Sequence, residues 1–114
     1  MNSRILLLLL ATFAFSVIAQ SSPREIGRRL ASIKVQKVSF KKATVPEVIQ
    51  HLATIAQEAD TPVNIVLENS EIQRAPITLD LRGENLRQIL QIVCRMADLR
   101  MEVRYGVLFI GEAK

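Results

Sequence analysis

The sequence is poor in the residue types that build disulfides, metal sites and base-stacking surfaces. It has one cysteine, Cys94, so no disulfide can form within the chain. It has one histidine, His51, so a metal site would need carboxylates and Cys94 to converge on it, and we predict no metal site and no cofactor. Aromatic residues make up only 4% of the chain, which removes the platforms on which nucleic-acid bases stack, and we predict no nucleic-acid partner.

Catalytic groupings are also missing. The chain has four glycines, and Gly83 lacks a second glycine at the spacing of a phosphate-binding loop. The acidic residues are scattered over predicted caps, turns and solvent faces, so their spacing does not indicate a pair of catalytic carboxylates. Cys94 lies within a helical apolar pattern, which favours a buried side chain over a nucleophile. We therefore predict that the protein is not an enzyme, and a hydrolase that uses Cys94 is only the third hypothesis.

The first feature that is present is an export signal. Arg4 precedes an apolar stretch over residues 5–18, and Ala19 is the small residue that signal peptidase requires just before a cut. We predict a signal peptide over residues 1–19, cleavage between Ala19 and Gln20, and a periplasmic location. The alternative, a retained membrane anchor, is weaker because a membrane-spanning helix needs about 20 apolar residues.

The predicted mature chain is a tether followed by one small domain. Residues 20–33 are polar and include Pro23 and Gly27, and we predict a tether there, with a short helical turn from Arg24 to Leu30 as the alternative to an irregular segment. Residues 34–114 carry regular patterns, and a mature chain of about 95 residues suffices for one domain only. Loss of Arg4 with the signal lowers the formal charge from +4 to +3, a mild basicity that suits an acidic protein surface or anionic lipid headgroups.

The domain begins with a strand, a capped helix and a second strand. A β-prone run covers residues 34–40. Thr44 is a predicted N-cap with Glu47 three residues later, the arrangement of a capping box. Apolar residues then follow at helical spacing to about Ala59. Val63, Ile65 and Leu67 alternate with Asn64 and Val66, which predicts a strand with one inner face.

The same order repeats in the second half of the domain. An alternating run is followed by a predicted turn at residues 82–85, which ends in the N-cap Asn85. Residues 86–97 carry the second helical stripe. Residues 101–110 predict a closing hairpin that turns at Gly106.

A shift of 41 positions superimposes the two halves. Every pair keeps its chemical character, which is a strong sign of an internal repeat. The pairs are Phe40/Leu81, Thr44/Asn85, Val45/Leu86, Val48/Ile89, Ile49/Leu90, Leu52/Val93, Ile55/Met96 and Ala56/Ala97. We predict an α+β fold of two pseudo-symmetric units, βαβ and βαββ, in which two helices pack with small mixed sheets.

These motifs resemble the secretin and TonB short N-terminal domain family. The resemblance is carried by residues 38–52, V-S-F-K-K-A-T-V-P-E-V-I-Q-H-L, by residues 77–90, I-T-L-D-L-R-G-E-N-L-R-Q-I-L, and by the closing hairpin. It covers roughly residues 34–110 and rests on apolar spacings and caps. It implies a non-catalytic docking module of a Gram-negative cell envelope. The partners it implies are envelope proteins, such as secretin, TonB-system or sigma-regulator components, including partners associated with the outer membrane.

A candidate binding surface is the strand formed by Val107, Leu108, Phe109 and Ile110. All four residues are apolar, so one or two of them face away from the helices, and a free strand edge here would accept a partner's strand. The alternative is that the domain itself or a dimer partner covers both faces. The leading function is therefore a protein-docking adaptor. The second is a soluble small-ligand or glycan-binding module with a pocket between the halves, although few aromatics are available to bind sugars.

Overall fold

A computed structural model describes residues 22–113, so the predicted signal peptide and its cleavage site at Ala19 and Gln20 lie outside the described residues. Between residues 22 and 113, no helix is both long and apolar enough to cross a bilayer. This part of the chain contains three helices and five strands. In order they are α1 (Pro23–Ser32), β1 (Lys34–Ala43), α2 (Val45–Gln57), β2 (Asn64–Leu67), β3 (Ile77–Asn85), α3 (Leu86–Met96), β4 (Leu99–Arg104) and β5 (Val107–Glu112).

The strands form two small sheets. β1 and β3, the first strands of the two halves, pair antiparallel as a two-stranded ribbon. The other sheet has the order β2-β5-β4, in which β5 runs parallel to β2 and antiparallel to β4. The predicted α+β class, with small mixed sheets and the order βαβ then βαββ from β1 onward, is confirmed.

Both predicted N-caps lie where the repeat places them. The Thr44 Oγ1 atom accepts a hydrogen bond from the backbone N–H of Glu47 at 3.3 Å. The Asn85 Oδ1 atom accepts the equivalent bond from the N–H of Gln88 at 2.9 Å. Each cap satisfies one of the backbone donors that a helix start leaves without a partner, so α2 and α3 begin at equivalent positions.

The core lies between the helices and the inner faces of the two sheets. Val48 and Leu52 of α2 and Ile89, Leu90 and Val93 of α3 are completely buried. Burial of such a side chain stabilises the fold by roughly 1.5–3 kcal/mol, which explains how the domain holds together without a disulfide. The repeat weakens at the ends of these helices, where the counterparts Ile55 and Met96 are half-buried and 51% exposed, respectively.

The predicted tether at residues 20–33 is wrong from Pro23 onward, because these residues form helix α1. The Ser22 Oγ atom caps the helix by accepting from the N–H of Glu25 at 3.2 Å, and Pro23 lies in the first turn, where its missing N–H has no cost. Ile26 and Leu30, one turn apart, are 1% and 4% exposed. Since these two side chains belong to the core, the domain includes α1 and is not confined to residues from 34 onward.

The predicted turn at residues 82–85 is also wrong, because β3 continues through Asn85. β1 extends back to Lys34, which pairs with Asn85, so the segment has a strand beside it along its whole length. Gly83 takes a left-handed φ of 69° inside the strand, which a glycine adopts without steric strain. The other predicted turn is confirmed, since Tyr105 and Gly106 both have positive φ in the two-residue link between β4 and β5.

Candidate interaction surfaces

The predicted binding edge at residues 107–110 is wrong, because β5 is the central strand of its sheet. Leu108 lies opposite Ile65 of β2 on one side and Val103 of β4 on the other. Both rows of main-chain groups are therefore used within the domain. Leu108 and Ile110 are buried, and Val107 and Phe109 are half-buried. A run of four apolar residues fits a strand that is covered on its faces and paired at both edges.

The open edges of this sheet belong to β2 and β4. Among the described residues, each of these strands pairs only with β5, so its other edge has main-chain donors and acceptors without a strand partner. Val66 of β2 is 42% exposed beside this edge. Short unpaired edges of this kind can accept an added strand.

The outer face of the three-stranded sheet carries a cluster of ion pairs. The Glu68 carboxylate contacts Arg100 Nη2 at 3.3 Å and Arg104 Nη2 at 2.9 Å. The Arg104 guanidinium lies over the Phe109 ring, 4.2 Å from its centroid. Gly111 leaves space for the Glu68 carboxylate, which would collide with a Cβ atom at that position. Glu102 lies 2.8 Å from Arg100 and 3.8 Å from Arg104, so two carboxylates balance the two arginines and this face offers little free positive charge for an anionic partner.

An open apolar groove lies between α2 and β2, and we call it the α2–β2 groove. Its volume is about 280 Å³, and the surrounding residues come from α2, β2 and Ser70. Ile49 is buried at its base, whereas Ala53, Ile65 and Leu67 are half-buried. None of the lining side chains carries a charge. The lining residues from the two elements are Pro46, Ile49, Gln50, Ala53, Ile65 and Leu67.

The second half of the domain has an equivalent groove between α3 and β4, the α3–β4 groove. Arg87 and Gln91 of α3 line it, 41 positions after Pro46 and Gln50 of the first groove. Met101 and Val103 of β4 line it as well, 36 positions after Ile65 and Leu67. The two grooves therefore share helix positions that correspond under the shift of 41, and each is completed by the edge strand that follows its helix.

The α3–β4 groove differs in being covered by α1. Ile26 and Leu30 of α1 face it and are buried, and a cleft of about 250 Å³ remains beneath the helix. The backbone N–H of Leu86 donates to the Ile33 carbonyl at 2.9 Å and joins the end of α1 to the start of α3. Sequence reasoning missed both grooves, although the spacing of Ile26 and Leu30 by one helical turn was a readable signal.

A third cleft, of about 490 Å³, lies between the α1–β1 junction and the turn after α2. Its lining includes Lys34, Glu58 and Asp60, and no aromatic side chain is among the residues that surround it. A sugar would find hydrogen-bonding groups here but no ring on which to stack. The predicted pocket between the halves thus has little support from this cleft.

Cys94 and His51, the two residues considered for chemistry, do not line either groove. Cys94 is buried, and burial raises the pKa of its thiol from 9.0 to about 11, so the thiol stays protonated near neutral pH and is a poor nucleophile. His51 is exposed, and its ring meets Phe40 edge-on at 5.4 Å between centroids. Within residues 22–113, no three His, Cys, Asp or Glu residues are grouped closely enough to hold a metal ion.

Comparison of the chain with known protein families, with curated proteins and with solved structures found no match. The resemblance to the secretin and TonB short N-terminal domain therefore stays a prediction from the sequence motifs. The function has to be argued from the signal, the repeat and the surfaces described above.

Proposed function

We propose that the protein is an exported, periplasmic docking or adaptor module, without catalytic activity, that binds other proteins of the cell envelope. The observation that carries this proposal is the division of the residues between the core and the surface. The repeat and α1 supply the core, and the features left at the surface are sheet edges and an apolar groove. These are features by which domains bind peptides and proteins. The motif resemblance to the secretin and TonB short N-terminal domain supports the same function.

The export part of the proposal rests on the apolar stretch before Ala19. Its test is the intact mass of the protein recovered from the periplasm of a Gram-negative host that expresses the full coding sequence. A mass that corresponds to a chain beginning at Gln20 is expected. A full-length mass in the membrane fraction would instead favour the retained anchor.

The docking proposal predicts that a partner protein binds either through main-chain hydrogen bonds to an open strand edge or by inserting side chains into the α2–β2 groove. The edges of β2 and β4 have donors and acceptors without a strand partner in the described residues, and Val66 gives the β2 edge an apolar neighbour. Strand addition derives its affinity from main-chain hydrogen bonds and its specificity from pockets for alternate side chains.

Affinity capture tests the docking function. The tagged protein is incubated with envelope extracts, and the bound proteins are compared by quantitative mass spectrometry with those bound by a variant whose exposed residues are scrambled. Specific enrichment of one or a few envelope proteins is expected. If the protein enriches nothing beyond the scrambled variant, the adaptor function fails.

The second candidate function, binding of a small ligand or glycan, is not favoured by the clefts. The cleft of about 490 Å³ lacks an aromatic platform, and the α2–β2 groove is smaller than the roughly 300–1,000 Å³ typical of small-ligand sites. A ligand from a metabolite and glycan panel that raised the melting temperature of the protein would reopen this possibility.

A further inference from the structure

We propose that the α2–β2 groove binds a basic amphipathic helix of a partner protein, in the way that α1 covers the equivalent groove of the same domain. This inference rests on the proposed docking function and names the surface and the chemistry of the partner. It rests on a comparison within the fold. The domain has two similar grooves, and within residues 22–113 a helix covers the α3–β4 groove but not the α2–β2 groove.

The covered groove shows what kind of segment fits. α1 is ten residues long and places Ile26 and Leu30, four positions apart, against α3 and β4. The open groove presents the corresponding helix and strand positions, among them Gln50 and Ile65. Its volume of about 280 Å³ suits one or two apolar side chains from a docked helix.

The charge around the open groove selects a basic partner. From residue 43 to residue 73 the chain has five acidic residues and no lysine or arginine. The acidic residues are Glu47, Glu58, Asp60, Glu68 and Glu71. Glu47 and Glu71 directly follow the groove residues Pro46 and Ser70 and have no ion-pair partner among the described residues, whereas Glu58 and Asp60 line a separate cleft and Glu68 is paired with arginines. Two carboxylates without a cation partner therefore lie beside the groove and attract positive charge.

α1 itself has the opposite charge. It carries Arg24, Arg28 and Arg29 against one acidic residue, Glu25, which gives a formal charge of +2. The segment 22–33 is therefore a suitable probe, because it combines the apolar spacing that fits the groove with the charge that the first half of the domain attracts. A peptide of this length is a marginal helix in water, so its titration has to extend to millimolar concentration.

The test is a titration of the protein, expressed from its full coding sequence and purified in the form that the cells yield, with the 22–33 peptide. Binding is followed by the backbone amide signals in two-dimensional NMR spectra. Shifts concentrated at Ala53, Ile65 and their neighbours in α2 and β2 are expected. A second peptide, with its three arginines replaced by glutamate, should bind at least about tenfold more weakly, a difference of about 1.4 kcal/mol.

A matched pair of variants separates the groove from the rest of the helix. Ala53→Lys places a bulky cation in the groove and should weaken the peptide at least about tenfold. Thr54→Lys adds the same charge at the next, exposed position of α2 and should change the affinity by less than about threefold. Gln50→Lys, at the exposed rim of the groove, repeats the test at a site where folding is not at risk.

Two outcomes overturn this inference. One is a titration that moves no groove signal, and the other is a peptide that moves Met101 and Val103 by displacing α1 from its own groove. If either occurs while the protein still captures an envelope partner, only the groove assignment fails and the docking function stands. If the peptide binds the groove but no envelope protein is captured, the groove stands as a helix site and the adaptor function fails.

Discussion

Replacement of Ile26 by alanine tests whether α1 is part of the domain core. The change removes three carbon atoms from a side chain that is 1% exposed. At about 0.8 kcal/mol per buried methylene, the lost transfer free energy is about 2.4 kcal/mol. The residual cavity adds to this, although the cleft beside Ile26 limits the strain. We expect a loss of about 3 kcal/mol in the free energy of unfolding.

Urea and thermal unfolding, followed by circular dichroism, measure this loss. For a domain of this size, about 4–8 °C is lost per kcal/mol, so the melting temperature of Ile26→Ala should fall by about 12–24 °C. The matched control is Arg28→Ala on the exposed side of the same helix, where the side chain is 71% exposed. The control should stay within about 0.5 kcal/mol of the wild type. If Ile26→Ala were as stable as the control, α1 would be a tether after all.

Four further predictions concern local features of the fold. Asn85→Ala removes the α3 cap and should lower the free energy of unfolding by about 1 kcal/mol in urea titrations, while Asn85→Asp should retain most of it. Gly111→Ala should displace the Glu68 carboxylate and lower the free energy of unfolding by about 1 kcal/mol, a small loss because the disrupted ion pairs are partly exposed. In a double-mutant cycle, this loss should nearly vanish when Glu68 is already alanine. Cys94 should react with an alkylating reagent at pH 8 no faster than the domain unfolds, because the buried thiol is out of the reagent's reach and burial also raises its pKa to about 11; rapid modification of the folded protein would contradict this burial. Because burial raises the pKa of this thiol, the unfolded thiol ionises above pH 9 while the folded thiol stays protonated. The free energy of unfolding should therefore decline between pH 9 and 11, and this decline should be absent from Cys94→Ala.

The parts of the fold that local chemistry determines could be predicted from the sequence. Thr44 and Asn85 are N-caps because their short polar side chains reach a backbone N–H three residues later, and this depends on neighbouring residues alone. The apolar stripes of α2 and α3 were visible for the same reason, since their period is that of a helix. The order of strands and helices followed from these signals.

The errors lie where pairing over long distances decides the structure. The apolar run at residues 107–110 fits an exposed hairpin edge or a central strand equally well until the partner of its second edge is known, and that partner is β2, some forty residues earlier in the chain. α1 was predicted as no more than a helical turn within a tether, because it has only two apolar anchors, Ile26 and Leu30, in a polar segment with Pro23 and Gly27. Two anchors suffice because both side chains are buried against the α3–β4 groove.

The α2–β2 groove could not be predicted because it is defined by comparison within the folded domain. Its residues are conventional members of a helix and a strand, and nothing in their spacing marks them as exposed. What distinguishes them is that α1 covers the other groove and leaves this one open.

The central claim, that this domain docks an envelope partner through its open groove, is tested most directly by comparative affinity capture. The wild type, Ala53→Lys and Thr54→Lys proteins are incubated with the same envelope extract, and the bound proteins are quantified by mass spectrometry. The account predicts that the wild type and Thr54→Lys enrich the same partner, that Ala53→Lys loses it, and that all three proteins have the same melting temperature within a few degrees. Equal enrichment by all three proteins, or enrichment by none, would contradict it.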